Sequence, residues 1–226
     1  MSLNAKKVKA VGNKPKQPNI ENGTYPARLV QLIDLGVQAQ RPYKGQDKPP
    51  KHMIYTTYEF CDEFMVDENG NPDESKPRWI SEDFPFYSLD QDRAKSTQRY
   101  NALDPTGAHD GEWPELLGSP VMLTVGDYVG GDGVTRNSIL STSSVRAKQA
   151  ATLPELVNEP KVFLLDDPDM DVFLSLPQWL QDKIKGNLEY AGSALQKALE
   201  GDSKKPKKVE PKKPKQEEQE EGDEVW

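Results

Sequence analysis

Four carboxylates, Asp166, Asp167, Asp169 and Asp171, fall within six residues around Pro168 and are the nearest this chain comes to a catalytic constellation. Clustered acids of this kind can hold two magnesium ions for phosphodiester cleavage. That chemistry also needs a base or further ligands on a rigid strand, and the sequence offers none. The acids read instead as a solvated loop ahead of a helix, whose N-terminus favours negative charge. His52 and His109 are far apart and neither belongs to a metal-spaced pair. The loop from Asp67 has the outline of a calcium loop, but Pro72 replaces its turn glycine and Arg78 stands where the last carboxylate should be. Gly130 to Gly133 is not followed by Lys-Ser or Lys-Thr and reads as a hairpin turn, not a phosphate-binding loop. Cys61 is the single cysteine, so an internal disulfide and a cysteine-rich zinc site are both excluded; it reads as a small core residue beside Phe60. The expectation is a protein without catalysis, cofactor or metal.

The chemistry that remains is that of binding. Arg41, Tyr43, Lys44, Lys48 and Lys51 share one loop, residues 36–51, opposed only by Asp47. A cationic track with exposed rings binds single-stranded nucleic acid without reading sequence, each stacked base contributing roughly 1 to 3 kcal/mol. Tyr43 is the strongest platform because a ring in a basic loop is hard to assign to a core. Tyr55, on the polar side of the second strand, and Trp79, which reads equally as a core residue, are further candidate platforms, and Arg28, Arg136, Arg146 and Lys148 are candidate phosphate contacts, each of which also reads as ordinary solvated surface. The net charge of −8 opposes this reading until it is divided. Residues 1–18 carry five Lys and no acid, and residues 204–226 balance seven Lys against seven acids, which leaves −13 on residues 19–203. Because phosphate neutralisation dominates non-specific affinity, binding must rest on a local basic face and on stacking.

The elements that would position these residues are mostly strands. A basic arm, residues 1–19, has no apolar periodicity and is expected to be disordered; Asn22-Gly23 then turns into a strand from Thr24 to Leu35, whose adjacent apolars suggest a bulge. Met53 to Met65 is a second strand, with Ile54, Thr56, Tyr58 and Phe60 expected on its core face and Met53, Tyr55, Thr57 and Glu59 on the other. Arg78 to Phe86 is a third strand, Gln91 to Leu103 a short polar helix, and Pro120 to Val129 and Val134 to Ala147 two more strands. The chain order is that of an OB fold. The fold class expected is mainly β: a five-stranded OB-fold-like barrel with a helical insertion between strands 3 and 4, followed by C-terminal helices, over residues 20–200. One helix should be capped by Ser175, carry Leu176, Trp179, Leu180, Lys183 and Ile184 at spacings of three and four, and pack back on the barrel; a second should carry Leu188, Ala191, Leu195, Ala198 and Leu199, with Gly192 inside it.

Residues 201–226 are expected to be a disordered tail, since Lys, Pro and Glu cannot bury enough surface to offset ordering entropy. Its charge is blocked: Lys204 to Lys215 is basic, and Glu217, Glu218, Glu220, Glu221, Asp223 and Glu224 are acidic and are followed by Trp226. An indole at the end of an acidic run serves docking better than solubility, and such a strip can occupy a groove built for phosphates and bases. The tail Glu-Glu-Gln-Glu-Glu-Gly-Asp-Glu-Val-Trp resembles those of bacteriophage single-stranded DNA-binding proteins. More loosely, so do Gly23-Thr24-Tyr25-Pro26-Ala27-Arg28-Leu29-Val30, Asp34-Leu35-Gly36, the basic loop and Glu115-Leu116-Leu117-Gly118. The resemblance implies an OB fold, sequence-independent coating of single-stranded DNA in replication, and contact of the acidic tail with DNA polymerase and primase-helicase. No run approaches the about 18 apolar residues of a membrane span, and the N-terminus lacks the apolar core of a secretory signal. A cytoplasmic monomer or homodimer is therefore expected, with a phage interaction or recombination-mediator protein of little DNA affinity as the alternative.

Overall fold

The computed structural model describes residues 17–202; the basic arm before them and the acidic tail, with Glu217, Glu218, Glu220, Glu221, Asp223, Glu224 and Trp226, lie outside the described residues. The hub is β1, Gly23–Gln38. Its first part pairs with β4 (Pro120–Val129), from Gly23 opposite Val125 to Arg28 opposite Pro120. From Ala27 onward it pairs with β2 (Lys51–Val66), and at Gln31 to Ile33 it takes β6 (Lys161–Phe163) in parallel. One strand can serve three partners because its register shifts twice, between Leu29 and Gln31 and between Asp34 and Gly36. An extra residue bends a strand and increases its twist. Gly36 meets the second shift at φ +68°, and a Cβ there would stand 2.7 Å from Leu165 Cδ1 and 2.9 Å from Asn187 Cγ, so a side chain would have to displace both and hold a strained backbone.

Completing the sheet are β3 (Pro72–Pro85) on β2 and β5 (Thr135–Ser144) on β4, giving the order β3-β2-β1-β4-β5. The expected closed barrel is not formed: among the described residues no hydrogen-bonded register joins β3 to β5. Their gap is spanned by α1 (Lys95–Leu103), the anticipated helical insertion. Buried Arg99 reaches Glu82 on β3, Thr142 Oγ1 on β5 and the Ile139 carbonyl, so side chains hold together what the ladder leaves open.

Both faces of the sheet are covered. On the inner face Ala27, Leu29, Leu32, Ile54, Tyr58, Phe60, Phe84 and Leu123 pack with Tyr100 of α1 and with Trp113 and Leu116 of a 3-10 turn, Trp113–Leu116. On the outer face Ile33, Leu35 and Met53 pack with Phe163 and with α3 (Met170–Ser175), α4 (Gln178–Lys185) and α5 (Ala194–Asp202). Fully burying side chains of this size is worth about 1.5 to 3 kcal/mol each. The two-faced reading of β2 therefore needs correction: Met53, Thr57 and Glu59 are buried as well, Met53 in the outer-face core, Glu59 under Val157 and Asn158, and Thr57 between Gln31 and Ser81 of the neighbouring strands.

The C-terminal helices also differ from expectation. Ser175 ends α3 instead of capping α4, whose N-cap is Pro177; Asp169 is the capping residue of α3, accepting from the Asp171 and Val172 amides. Leu176, Leu180 and Ile184 are buried as expected, whereas Trp179 points outward. The last helix starts only at Ala194, since Gly192 at φ +82° lies in the turn before it. No helix among the described residues is long and apolar enough to cross a membrane.

Candidate nucleic-acid interface

Tyr43 sits at the tip of the β1–β2 loop, 58 % exposed. A tight turn presents it: the Tyr43 amide donates to the Gln46 carbonyl at 2.9 Å and the Gln46 amide returns to Tyr43 at 3.0 Å, with Lys44 and Gly45 between them at positive φ. Lys48 Nζ lies 4.6 Å and Lys44 Nζ 5.5 Å from the ring centroid. Such cation–π contacts contribute about 0.5 to 1 kcal/mol at an exposed site and place two positive charges beside a stacking surface. Arg41 is exposed in the same loop.

Where the loop enters β2, Lys51 Nζ stands 4.9 Å from the Tyr87 ring centroid. Sequence reasoning missed Tyr87. Its signal lies in the pairing: Pro85 opposes Met53, and the Phe86 amide donates to the His52 carbonyl at 2.8 Å, which brings residues 86–87 beside 51–52.

A second aromatic surface lies on the outer face of β2 and β3. Trp79 is 46 % exposed, yet its indole N–H is fixed by Glu59 Oε2 at 3.0 Å. Glu59 is itself buried and accepts from the Val157 amide at 2.7 Å and from Asn158 Nδ2 at 2.6 Å. Trp79 is thus an exposed ring anchored by a buried carboxylate. Tyr55 is half-covered, its ring meeting that of Trp179 edge-on at 5.7 Å, and Trp179 is the more exposed of the two. Between Trp79 and Asp83, which opposes Tyr55, the strand runs four residues, about 13 Å. The floor of that interval is polar: Thr57 Oγ1 donates to Gln31 Oε1 and shares a hydrogen bond with Ser81 Oγ. Lys183 neutralises Asp83 at 2.6 Å.

Other expected contacts are placed elsewhere. Arg28 is 7 % exposed and bonded within the fold: Nε donates to the Pro154 carbonyl at 2.7 Å, Nη1 to the Gly118 carbonyl at 2.8 Å, and Nη2 to the Leu153 carbonyl and Glu155, both at 3.3 Å. Four of its five N–H donors are thus taken inside the fold, which makes it an internal staple. Arg136 is exposed but ion-paired with Asp132, whose carboxyl it holds well below the usual range. Its hairpin adjoins the N-terminal end of β1, whereas the Tyr43 loop leaves the C-terminal end, so the two are not brought together. Arg146 and Lys148 are exposed at α2 (Ala147–Ala150), beyond the last β4–β5 pair, Val121 with Ser144.

Cys61 is half-buried, and burial pushes its thiol up to about 11, far from a reactive thiolate. Among the described residues no group of three or more His, Cys, Asp or Glu side chains is placed to hold a metal ion. Neither any family model nor any curated protein matches this chain.

Proposed function

We propose that this protein coats single-stranded DNA without sequence preference during DNA replication, and that its acidic C-terminal residues recruit replication proteins such as DNA polymerase and primase-helicase. An OB-fold-like arrangement of the five main strands belongs to this reading; their chain order and the helix between β3 and β4 support it. The observation that carries the proposal is the exposed Tyr43 ring under two ammonium groups, continued by Lys51 over Tyr87 at the same rim of the sheet. Cations placed against ring faces let phosphates and bases be engaged together, which is what sequence-tolerant binding demands. Trp79 and the Tyr55–Trp179 pair supply further rings on the outer face. No catalytic step is part of the proposal.

Fluorescence anisotropy of labelled single strands and a matched duplex, at low and moderate salt, tests it. Preference for the single strand, weakening with salt by about 0.7 log units per phosphate contact for each tenfold rise, is the expected result; no binding at low salt refutes it. The acid excess on residues 19–203 favours a second reading, an interaction or recombination-mediator protein with little DNA affinity, and that reading takes over if single strands are ignored.

A further inference from the structure

A cleft of about 330 Å³ opens at the end of the inner core, beside the rim that carries Lys51 and Tyr87. Ile54 and Trp113 form its apolar wall, Phe86 stands 41 % exposed at its mouth, and Asp34, His52 and Glu112 supply its polar groups. His52 Nε2 is 2.7 Å from Asp34 Oδ1, which also accepts the Gly36 amide at 2.8 Å. Asp34 Oδ2 has no hydrogen-bond partner among the described residues, so one carboxylate oxygen of the cleft is a free acceptor. Asp166 and Glu189 lie close enough to act on the His52 charge. The surroundings are therefore acidic, which suits neither a phosphate nor a bare anion.

We propose that this cleft receives one base of the bound strand, stacked on Phe86, and that its carboxylates favour bases carrying an exocyclic amino group over thymine. The inference rests on the single-strand reading above and adds a composition preference to it. Neighbouring charges divide the work: Lys51 and Lys48 on the rim meet phosphates, while Asp34 and Glu112 in the cleft accept hydrogen from cytosine N4, adenine N6 or guanine N2. Thymine offers only its ring imino hydrogen. Such a division also gives part of the domain's acid excess a place where it faces bases and not the sugar–phosphate chain.

The test compares oligo(dC) with oligo(dT) of equal length, titrated with the full chain at pH 7.5 and fixed salt. Both are pyrimidines, so the comparison isolates the amino group from differences in ring size. Tighter binding of oligo(dC) by about five- to tenfold is expected, reduced to less than about twofold in Asp34→Asn and in Phe86→Leu. Two variants are used so that a folding defect in one, visible by circular dichroism, leaves the other to decide. Equal affinity for the two strands overturns the cleft assignment and leaves the single-strand reading standing, as does a dC preference that survives both substitutions. Failure to bind either strand removes the reading itself, and the cleft assignment with it.

Discussion

Arg99 Nε stands 2.6 Å from Glu82 Oε1, joining the insertion helix to β3 across the gap that the β-ladder leaves open. The guanidinium is 2 % exposed and also reaches β5, so this ion pair is a structural part of the seam and not a surface ornament. Replacing Arg99 with Met leaves Glu82 with only Lys95, 3.1 Å away, as a counter-charge. Breaking one side of a buried pair typically costs about 3 to 5 kcal/mol. Urea unfolding of Arg99→Met should show a loss near about 3 kcal/mol, because Lys95 compensates in part. Arg99→Met combined with Glu82→Leu should recover much of the loss; a double variant as weak as the single one would show that the helix, and not the charge pair, closes the seam.

Arg28 illustrates how far the sequence carries. Its position in a strand-like run reads as a phosphate contact, yet its partners are carbonyls at residues 118, 153 and 154, whose approach no local pattern announces. The strand Pro120–Val129 was legible to the residue, because alternation and the flanking glycines agree there. The second core was not. Its first element is the three-residue β6 beside β1, too short for any periodicity, although the adjacent apolars of Leu29-Val30 and Leu32-Ile33 already signal a strand buried on both faces. Tyr43 and its lysines were legible as a group because they lie within one loop, whereas the Lys51–Tyr87 and Tyr55–Trp179 contacts depend on pairing across the fold.

The Arg28 staple gives a prediction that separates structure from binding. Arg28→Ala should lower stability by about 1 to 2 kcal/mol, since it removes the donor from three part-buried carbonyls, while the affinity for single strands, measured below the melting transition, stays within about twofold. A large affinity loss in a fully folded Arg28→Ala protein would return the residue to the interface.

The two aromatic surfaces are separable by substitution. Tyr43→Ala with Lys44→Ala should weaken binding of all single strands alike, by about 1 to 3 kcal/mol for the ring with a smaller salt slope from the lost cation. Trp79→Ala should cost about 1 to 2 kcal/mol of affinity if the outer face also carries the strand. Should Trp79→Ala bind normally while the Tyr43 variant fails, the path is confined to the rim.

His52 links this rim to pH. Its hydrogen bond to Asp34 raises the imidazole pKa above 6.5, burial opposes the rise, and the negative charges of Asp34, Glu189 and Asp166 add to it. A histidine whose folded pKa lies above its unfolded value stabilises the fold fully below the unfolded value, and the contribution disappears as pH climbs through the folded one. Melting temperature should therefore fall between pH 6 and pH 8 by an amount that depends on His52. Because the ring is about half exposed, solvent screening keeps the effect below about 1 kcal/mol. Thermal melts of the parent and of His52→Gln across that range check the assignment: the substituted protein should lose part of the slope. An unchanged slope would assign the pH dependence to other groups and show that the 2.7 Å contact with Asp34 contributes no net charge pairing in solution.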